Sequence, residues 1–367
     1  MLFVVCAPGL EPVASSELRE LGLQGRTVSG GIELDGQLPE AMRLNLWLRT
    51  ASRVLVRLGE PFRATSFAEL VRKASSLPWE KLVRKDMRAA FRVTCRKSRL
   101  YHSDAVAERL HAALEARVGF PVPIADGGED EAPAAEDVQL FVARIERDVC
   151  TVSADSSGAL LHQRGWRGPQ AKAPLRETLA AALLLGAGFR GDQPFCDPMC
   201  GSGTLAIEAA LIALGRAPGL NRRFAFQRWP GFSARQWEHL VSDARKRERS
   251  VAARIEASDQ DAGAVRAARE NALKADVDVD IIQRPLADLP GDAGQGLIAC
   301  NPPYGVRIAA DLRRLYADLG AAARRRAAWR IALIAARPDA AAASGLRFSP
   351  LLRTKNGGIP IEMLVST

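Results

Sequence analysis

Phe195-Cys-Asp-Pro-Met-Cys-Gly-Ser-Gly-Thr-Leu-Ala-Ile-Glu208 decides how the rest of the chain is read. It follows a lead-in containing Gly and Pro, and it runs into an apolar-periodic segment from Leu205 to Leu214. That order predicts a strand end, a tight glycine turn and a helix start. Glycine lacks a Cβ, so Gly201 and Gly203 can take φ > 0 and let a ligand come close to the backbone. The helix that follows offers unpaired N–H groups at its N-terminus. The spacing falls short of a full Gly-x-Gly-x-x-Gly dinucleotide fingerprint, because Ala206 stands at the third position. Taken alone, the turn fits a cofactor cradle or the helix cap of any α/β protein.

A second stretch, Leu297-Ile-Ala-Cys-Asn-Pro-Pro-Tyr304, reads as a short buried strand that stops at Asn301. Neither proline has an N–H to continue a strand ladder, but their carbonyl oxygens remain acceptors. An amide side chain, a fixed carbonyl and an aromatic ring are thus presented at a strand end, where ligands bind in open α/β sheets. An exocyclic amine on a nucleobase suits this set. Its ring would stack on Tyr304, and its N–H₂ would donate to Asn301 and the Pro302 carbonyl. Held so, the nitrogen becomes more tetrahedral and its lone pair points at an electrophile. A sulfonium methyl is activated already and needs no metal. The bland alternative is a Pro-Pro turn with a stacked tyrosine.

With these two stretches the chain resembles class I S-adenosylmethionine-dependent methyltransferases that act on an exocyclic amine. More closely it resembles the THUMP-containing RNA guanine-N2 methyltransferases, including those that modify bacterial 23S ribosomal RNA. Gly9-Leu-Glu11, Leu160-Leu-His-Gln-Arg-Gly-Trp166, Pro174-Leu-Arg-Glu-Thr-Leu-Ala180 and Lys355-Asn-Gly357 extend the likeness along the chain. The resemblance implies an α/β, Rossmann-like methyltransferase domain with a mixed, mostly parallel sheet at residues 158–367. It also implies an α+β ferredoxin-like unit at 1–60 and a THUMP RNA-binding domain at 61–157. Asn301, Pro302 and Tyr304 become the expected catalytic set. Asp197, Gly201, Gly203, Thr204, Asp259, Asp288 and Thr178 become the expected contacts to S-adenosylmethionine, with no metal.

Composition is compatible with that reading. The 367 residues carry a net charge of +9 and 47% hydrophobic residues. Length suggests two or three domains. A basic balance rich in arginine suits phosphates and bases, though a merely basic soluble protein fits too. Six scattered cysteines and four histidines form no metal-ligand spacing and no disulfide framework. That usage suggests a reducing compartment, the cytoplasm. Cys196 and Cys200 read as small, soft residues under a bound ligand. The apolar start lacks a basic n-region and does not read as a signal peptide. Ala321–Ala343 is broken by five arginines and does not read as a membrane span.

In residues 1–60 the expected order is β-α-β-α-β: Leu2–Cys6, Glu11–Leu21, Val28–Leu34, Leu38–Leu48 and Arg53–Leu58. Nothing there looks catalytic. Residues 61–125 carry 13 Lys and Arg against 6 Asp and Glu. Arg96, Lys97 and Arg99, beside Tyr101 and His102, form a basic and aromatic run that can neutralise phosphates and stack on an unpaired base. An acidic, turn-rich insert at 127–137 reads as a surface loop away from RNA. His162-Gln-Arg-Gly-Trp-Arg167 either reaches RNA through Arg164 and Arg167 or packs a linker with Trp166. A helix from Pro174 to Leu185 carries Thr178; in relatives it flanks the cofactor's methionine end.

Beyond Gln193 a strand-turn-helix rhythm predicts a parallel sheet. An Arg-, Phe- and Trp-rich insert at 216–237 holds the target nucleotide or forms an aromatic mini-core. Asp259 ends the second strand, where ribose hydroxyls are met. Asp261 serves there too or only caps the next helix. The resemblance implies that Asp288, after the third strand, contacts the adenine amino group; the alternative is a loop carboxylate. Arg347–Leu352 and Ile359–Val365 form a closing hairpin around Asn356-Gly-Gly358. The readings that remain are methylation of tRNA, of adenine N6 or of protein glutamine, and an RNA-binding assembly protein with a degenerate site. The basic N-terminal half counts against the protein substrate; the intact Asp197, Gly201, Gly203, Asp259, Asn301 and Tyr304 count against the last.

Overall fold

The computed structural model describes residues 1–125, 137–167, 175–251, 253–303 and 309–366. The acidic insert up to residue 136, Pro174 and Tyr304 lie outside the described residues.

The N-terminal half begins β1 (Leu2–Cys6), α1 (Glu11–Glu20), β2 (Arg26–Val28), β3 (Gly31–Leu34), α2 (Leu38–Trp47) and β4 (Ala51–Arg57). The expected single strand Val28–Leu34 is two strands. Gly30, at φ +82°, turns the chain between them, and β2 pairs antiparallel with β3. The order β-α-β-β-α-β is that of a ferredoxin-like unit. There follow β5 (Phe62–Arg63), α3 (Phe67–Ala74), β6 (Arg88–Arg96), α4 (Ser103–Val118), β7 (Val138–Glu146) and β8 (Val149–Asp155). These strands join one sheet in the order β2-β3-β1-β4-β8-β7-β6, with β5 beside β8. Residue 60 therefore falls inside a continuous sheet: β4 pairs with β1 on one side and β8 on the other.

The C-terminal half contains α5 (Glu177–Gly186), β9 (Phe195–Asp197), α6 (Thr204–Ala213), α7 (Ala234–Lys246), β10 (Ile255–Asp259), α8 (Ala262–Ala275), β11 (Asp280–Gln283) and β12 (Gly296–Cys300). It ends with α9 (Ala309–Arg325), β13 (Trp329–Ala335), β14 (Phe348–Asn356) and β15 (Ile359–Ser366). The sheet order is β11-β10-β9-β12-β13-β15-β14. The first five strands are parallel, and β15 runs antiparallel to β13 and β14. Strands β9 and β12 are buried throughout and α6 is buried on every side, as expected for the middle of a sheet covered on both faces. Gly357 and Gly358, at φ +55° and +86°, make the two-residue turn of the closing hairpin.

The halves are sewn together by buried polar groups. Arg164 donates to Glu208 on α6 (3.2 Å) and to the Arg49 carbonyl (2.5 Å). Arg49 donates to the Leu211 and Arg216 carbonyls. Glu17 accepts from the backbone N–H groups of Arg49 and Thr50 and from the Thr50 hydroxyl. The 216–237 insert is an aromatic mini-core at this seam. Phe224 stacks on Phe226 with centroids 5.2 Å apart, and Trp237 meets both edge-on. Trp229 donates to Gln139 on β7 at 2.6 Å. Among the described residues, no helix is long and apolar enough to cross a membrane.

Candidate cofactor and nucleobase site

In the C-terminal sheet the chain runs outward from β9 to β10 and β11, then returns to the other flank of β9 for β12 and β13. The strand order therefore reverses at β9, and the crevice outside the carboxyl ends of β9 and β12 is the switch point where ligands bind in such sheets. Register fixes what reaches it. Ala257 pairs with Asp197, so Asp259 lies two residues beyond the level of Asp197 on β10. Ile298 pairs with Cys196, so Asn301 lies two residues beyond that level on the other flank. Two residues of strand are about 6–7 Å. Asp259 and Asn301 thus flank the glycine turn symmetrically.

The turn is held from below. Cys200 N–H donates to the Ser258 carbonyl (2.9 Å), Gly203 N–H to the Cys200 carbonyl (2.8 Å), and the Asn271 amide to the Ser202 carbonyl (3.0 Å). Asp259 accepts from Gly201 N–H at 2.9 Å and from Asp261 N–H at 3.0 Å. Asp261 caps α8 by accepting from Gly263 N–H at 2.7 Å. The two glycines do different work. Gly203, at φ +85°, would place a Cβ 3.1 Å from the Ala268 Cβ, so it lets α6 and α8 close together. Gly201, at φ +51°, would place a Cβ with nothing within 4 Å, so its open side leaves room for a ligand to approach the backbone.

Asp197 is 1% exposed and accepts from Met199 N–H at 3.2 Å. Burial, reinforced by the neighbouring Asp259 charge and opposed by that N–H, pushes its carboxyl up to about 8. So raised, the carboxyl is mostly protonated at neutral pH, and a cation bound beside it would favour its ionised form. Burial also pushes the Cys196, Cys200 and Cys300 thiols well up, so they remain neutral around the site. Asn301 is half-buried, Pro302 buried and Pro303 exposed. Asp288 ends a short turn, Leu286–Asp288, beyond β11, and is exposed. Thr178 is buried in the first turn of α5.

Two sequence expectations are corrected. Arg164, expected to face RNA, is 3% exposed and is committed to Glu208, Leu161 and Arg49. Arg167, expected there too, turns to the glycine turn instead. It donates to Glu177 (2.7 Å), the Leu175 carbonyl (3.1 Å) and the Thr204 hydroxyl oxygen (2.8 Å). Both are drawn inward by buried carboxylates on later helices, Glu208 44 residues on and Glu177 10 residues on. His162 is surrounded by arginines, and burial with their charges pushes its imidazole down to about 3. Arg96, Lys97, Arg99 and Tyr101 are exposed at the end of β6; Tyr101 is 68% exposed and lies against His102. Sequence reasoning missed Glu208, Asn271 and Glu177 as supports of the site. Nothing local marks them, since their partners are distant in sequence or backbone atoms.

An acidic crevice beside an open glycine and the N-terminus of α6 fits a ligand with cationic groups and ribose hydroxyls, as S-adenosylmethionine has. Comparisons agree. Residues 164–362 match the family model described as an RMKL-like methyltransferase domain, and residues 1–55 match an RlmL ferredoxin-like domain. A ribosomal RNA large subunit methyltransferase K/L of Syntrophotalea carbinolica is 37% identical over 99% of this chain, which spans 53% of that relative. The chain thus covers about half the length of the K/L relatives it matches. A provisionally named RNA methyltransferase of Synechocystis is 33% identical, with 99% of this chain and 95% of that protein covered. The crystal structure of SMU.472, provisionally named a methyltransferase and complexed with SAH, superposes with a TM-score of 0.87 at 28% identity, covering 99% of this chain and 97% of that one. With the α/β methyltransferase fold, the switch-point crevice and these matches together, the chain belongs to the RMKL-like methyltransferase-domain family.

Proposed function

We propose that this chain transfers a methyl group from S-adenosylmethionine to the exocyclic N2 amine of a guanine in RNA, with 23S ribosomal RNA the first candidate. The observation that supports this reading is the strand register, which sets Asn301 and Asp259 at one level on either side of the glycine turn at the sheet's switch point. The names of the K/L relatives support the RNA class. Residues 61–157 serve as the THUMP-type RNA module, with Arg96, Lys97 and Arg99 neutralising phosphates and Tyr101 offered to an unpaired base. Such a chain works in the cytoplasm, where ribosomal RNA is found.

The cofactor supplies an activated methyl on a cationic sulfur. Asp259 accepts from the ribose hydroxyls, Asp288 from the adenine amine, and Asp197 faces the positive charge. The target guanine leaves its stack to reach the strand end. Asn301 and the Pro302 carbonyl accept the two N2 hydrogens and direct the nitrogen lone pair at the methyl, while Tyr304 supplies the stacking ring. An N–C bond forms as the S–C bond breaks, the sulfur leaves as a neutral thioether, and the nitrogen gives up one proton to water or through Asn301. Catalysis is positioning and electrostatics.

The test uses purified protein, labelled S-adenosylmethionine, and separated ribosomal and transfer RNA lacking the modification, followed by nucleoside analysis. N2-methylguanosine from ribosomal RNA is expected. The same nucleoside from tRNA alone would move the substrate, N6-methyladenosine would overturn the base, and no label in either RNA would overturn the activity on naked RNA.

A further inference from the structure

Arg167 stands where the sequence expected an RNA contact, yet its guanidinium reaches the cofactor turn. Its Nη2 donates to Thr204 Oγ1 at 2.8 Å, and its Nη1 lies 3.5 Å from Ser202 Oγ. Glu177, buried in the first turn of α5, takes the Nε hydrogen at 2.7 Å and fixes the fork. Burial raises the Glu177 carboxyl and the Arg167 charge lowers it again. Thr204 is nine-tenths or more buried. With its oxygen accepting from Arg167, its hydroxyl hydrogen must point away from the guanidinium. This is a buried donor, preset by a cation, at the start of α6, whose first-turn N–H groups also favour negative charge.

The crevice has a direction. Asp259 ends β10, and the strand-end acid of such sheets meets ribose hydroxyls. Adenine then falls toward β11 and Asp288, and the amino-acid end of the cofactor falls on the opposite side, toward α5 and Arg167. That end is a zwitterion: one ammonium, one carboxylate. Asp197 is the buried carboxyl that an ammonium would meet and ionise, and Arg167 is the cation held against the turn. We infer that Arg167 is a positioning residue that orients the Thr204 hydroxyl to donate to the cofactor's carboxylate, so that the site selects a ligand bearing that carboxylate. The inference rests on the cofactor reading above.

The test is equilibrium binding by calorimetry with two ligands, S-adenosylmethionine and its decarboxylated analogue, which keeps the adenosine, sulfonium and amine. The wild type should prefer the carboxylate-bearing ligand. In Arg167→Met that preference should fall roughly tenfold or more, since a charge-assisted hydrogen bond is lost, while affinity for the decarboxylated ligand stays within about threefold. Arg167→Met leaves Glu177 buried without its partner and can lose stability. Thr204→Val keeps the guanidinium and the volume; it should lose the same preference, and Thr204→Ser should restore it. Equal losses for both ligands, or an unchanged preference in Thr204→Val, would overturn the inference and leave the cofactor reading intact. A wild type that binds neither ligand would overturn both.

Discussion

The two glycines of the cofactor turn should fail in different ways. Both are left-handed, Gly201 at φ +51° and Gly203 at φ +85°, so an alanine at either pays the strain of that region, roughly 1–2 kcal/mol. At Gly201 nothing lies within 4 Å of the added Cβ, so strain is the whole stability cost. At Gly203 the Cβ meets Ala268 Cβ at 3.1 Å and Ala268 Cα at 3.4 Å, and α8 must shift; overpacking of this kind adds about 1–3 kcal/mol. A domain of this size loses roughly 2–4 °C per kcal/mol. Gly201→Ala should therefore melt a few degrees low, and Gly203→Ala about 1.5 to 4 times as far. Cofactor binding should rank the other way. The methyl of Gly201→Ala enters the cradle, and affinity for S-adenosylhomocysteine should fall about tenfold or more, which is about 1.4 kcal/mol. Gly203→Ala, measured below its transition, should bind more tightly than Gly201→Ala. Thermal unfolding followed by circular dichroism, with and without S-adenosylhomocysteine, gives both rankings. Wild-type affinity in Gly201→Ala would refute the cradle, and a Gly203→Ala no less stable than Gly201→Ala would refute the packing argument.

Asp197 makes stability and cofactor affinity respond oppositely to pH. Its carboxyl is raised from 3.8 to about 8, so the folded state binds more protons than the unfolded one in that window, and this contribution is lost as pH rises through it. The urea midpoint should gain a falling component between those values that Asp197→Asn lacks, while cofactor affinity should rise toward pH 8 with proton release in calorimetry; identical pH profiles in both proteins would count against this. Asn301→Ala should lose turnover about 100-fold or more with cofactor affinity near normal; full activity would rule out the proposed amine geometry. Charge reversal at Arg96 and Lys97 should weaken RNA binding and lower its salt slope by at least about 1.4; unchanged affinity would remove the patch from the RNA interface.

Much of the catalytic half was legible because its signals are local. The glycine turn, the Asn-Pro-Pro stop and the acids at strand ends each depend on a few adjacent residues, and the parallel rhythm follows from alternating apolar runs. Leu2–Cys6 comes out with the bounds expected. The Val28–Leu34 strand was misread because Gly30, at φ +82°, makes a turn that splits the stretch into two short antiparallel strands. Arg164 and Arg167 were misread for another reason. In sequence they stand in a basic, aromatic run, which is as consistent with phosphate as with buried carboxylate.

What the sequence by itself determined is the chemistry offered at each strand end: which residue stops the strand, which one turns, and which functional group it carries. Those are short-range facts of backbone freedom and side-chain type. Only the tertiary structure decided which groups share a crevice and which way the arginines point. Register sets Asp259 and Asn301 at one level on either side of Asp197. Glu208 and Glu177, lying 44 and 10 residues from Arg164 and Arg167, draw those guanidinium groups inward. A buried carboxylate must find a partner, and the identity of that partner is settled by packing between distant segments, not by neighbours in the chain.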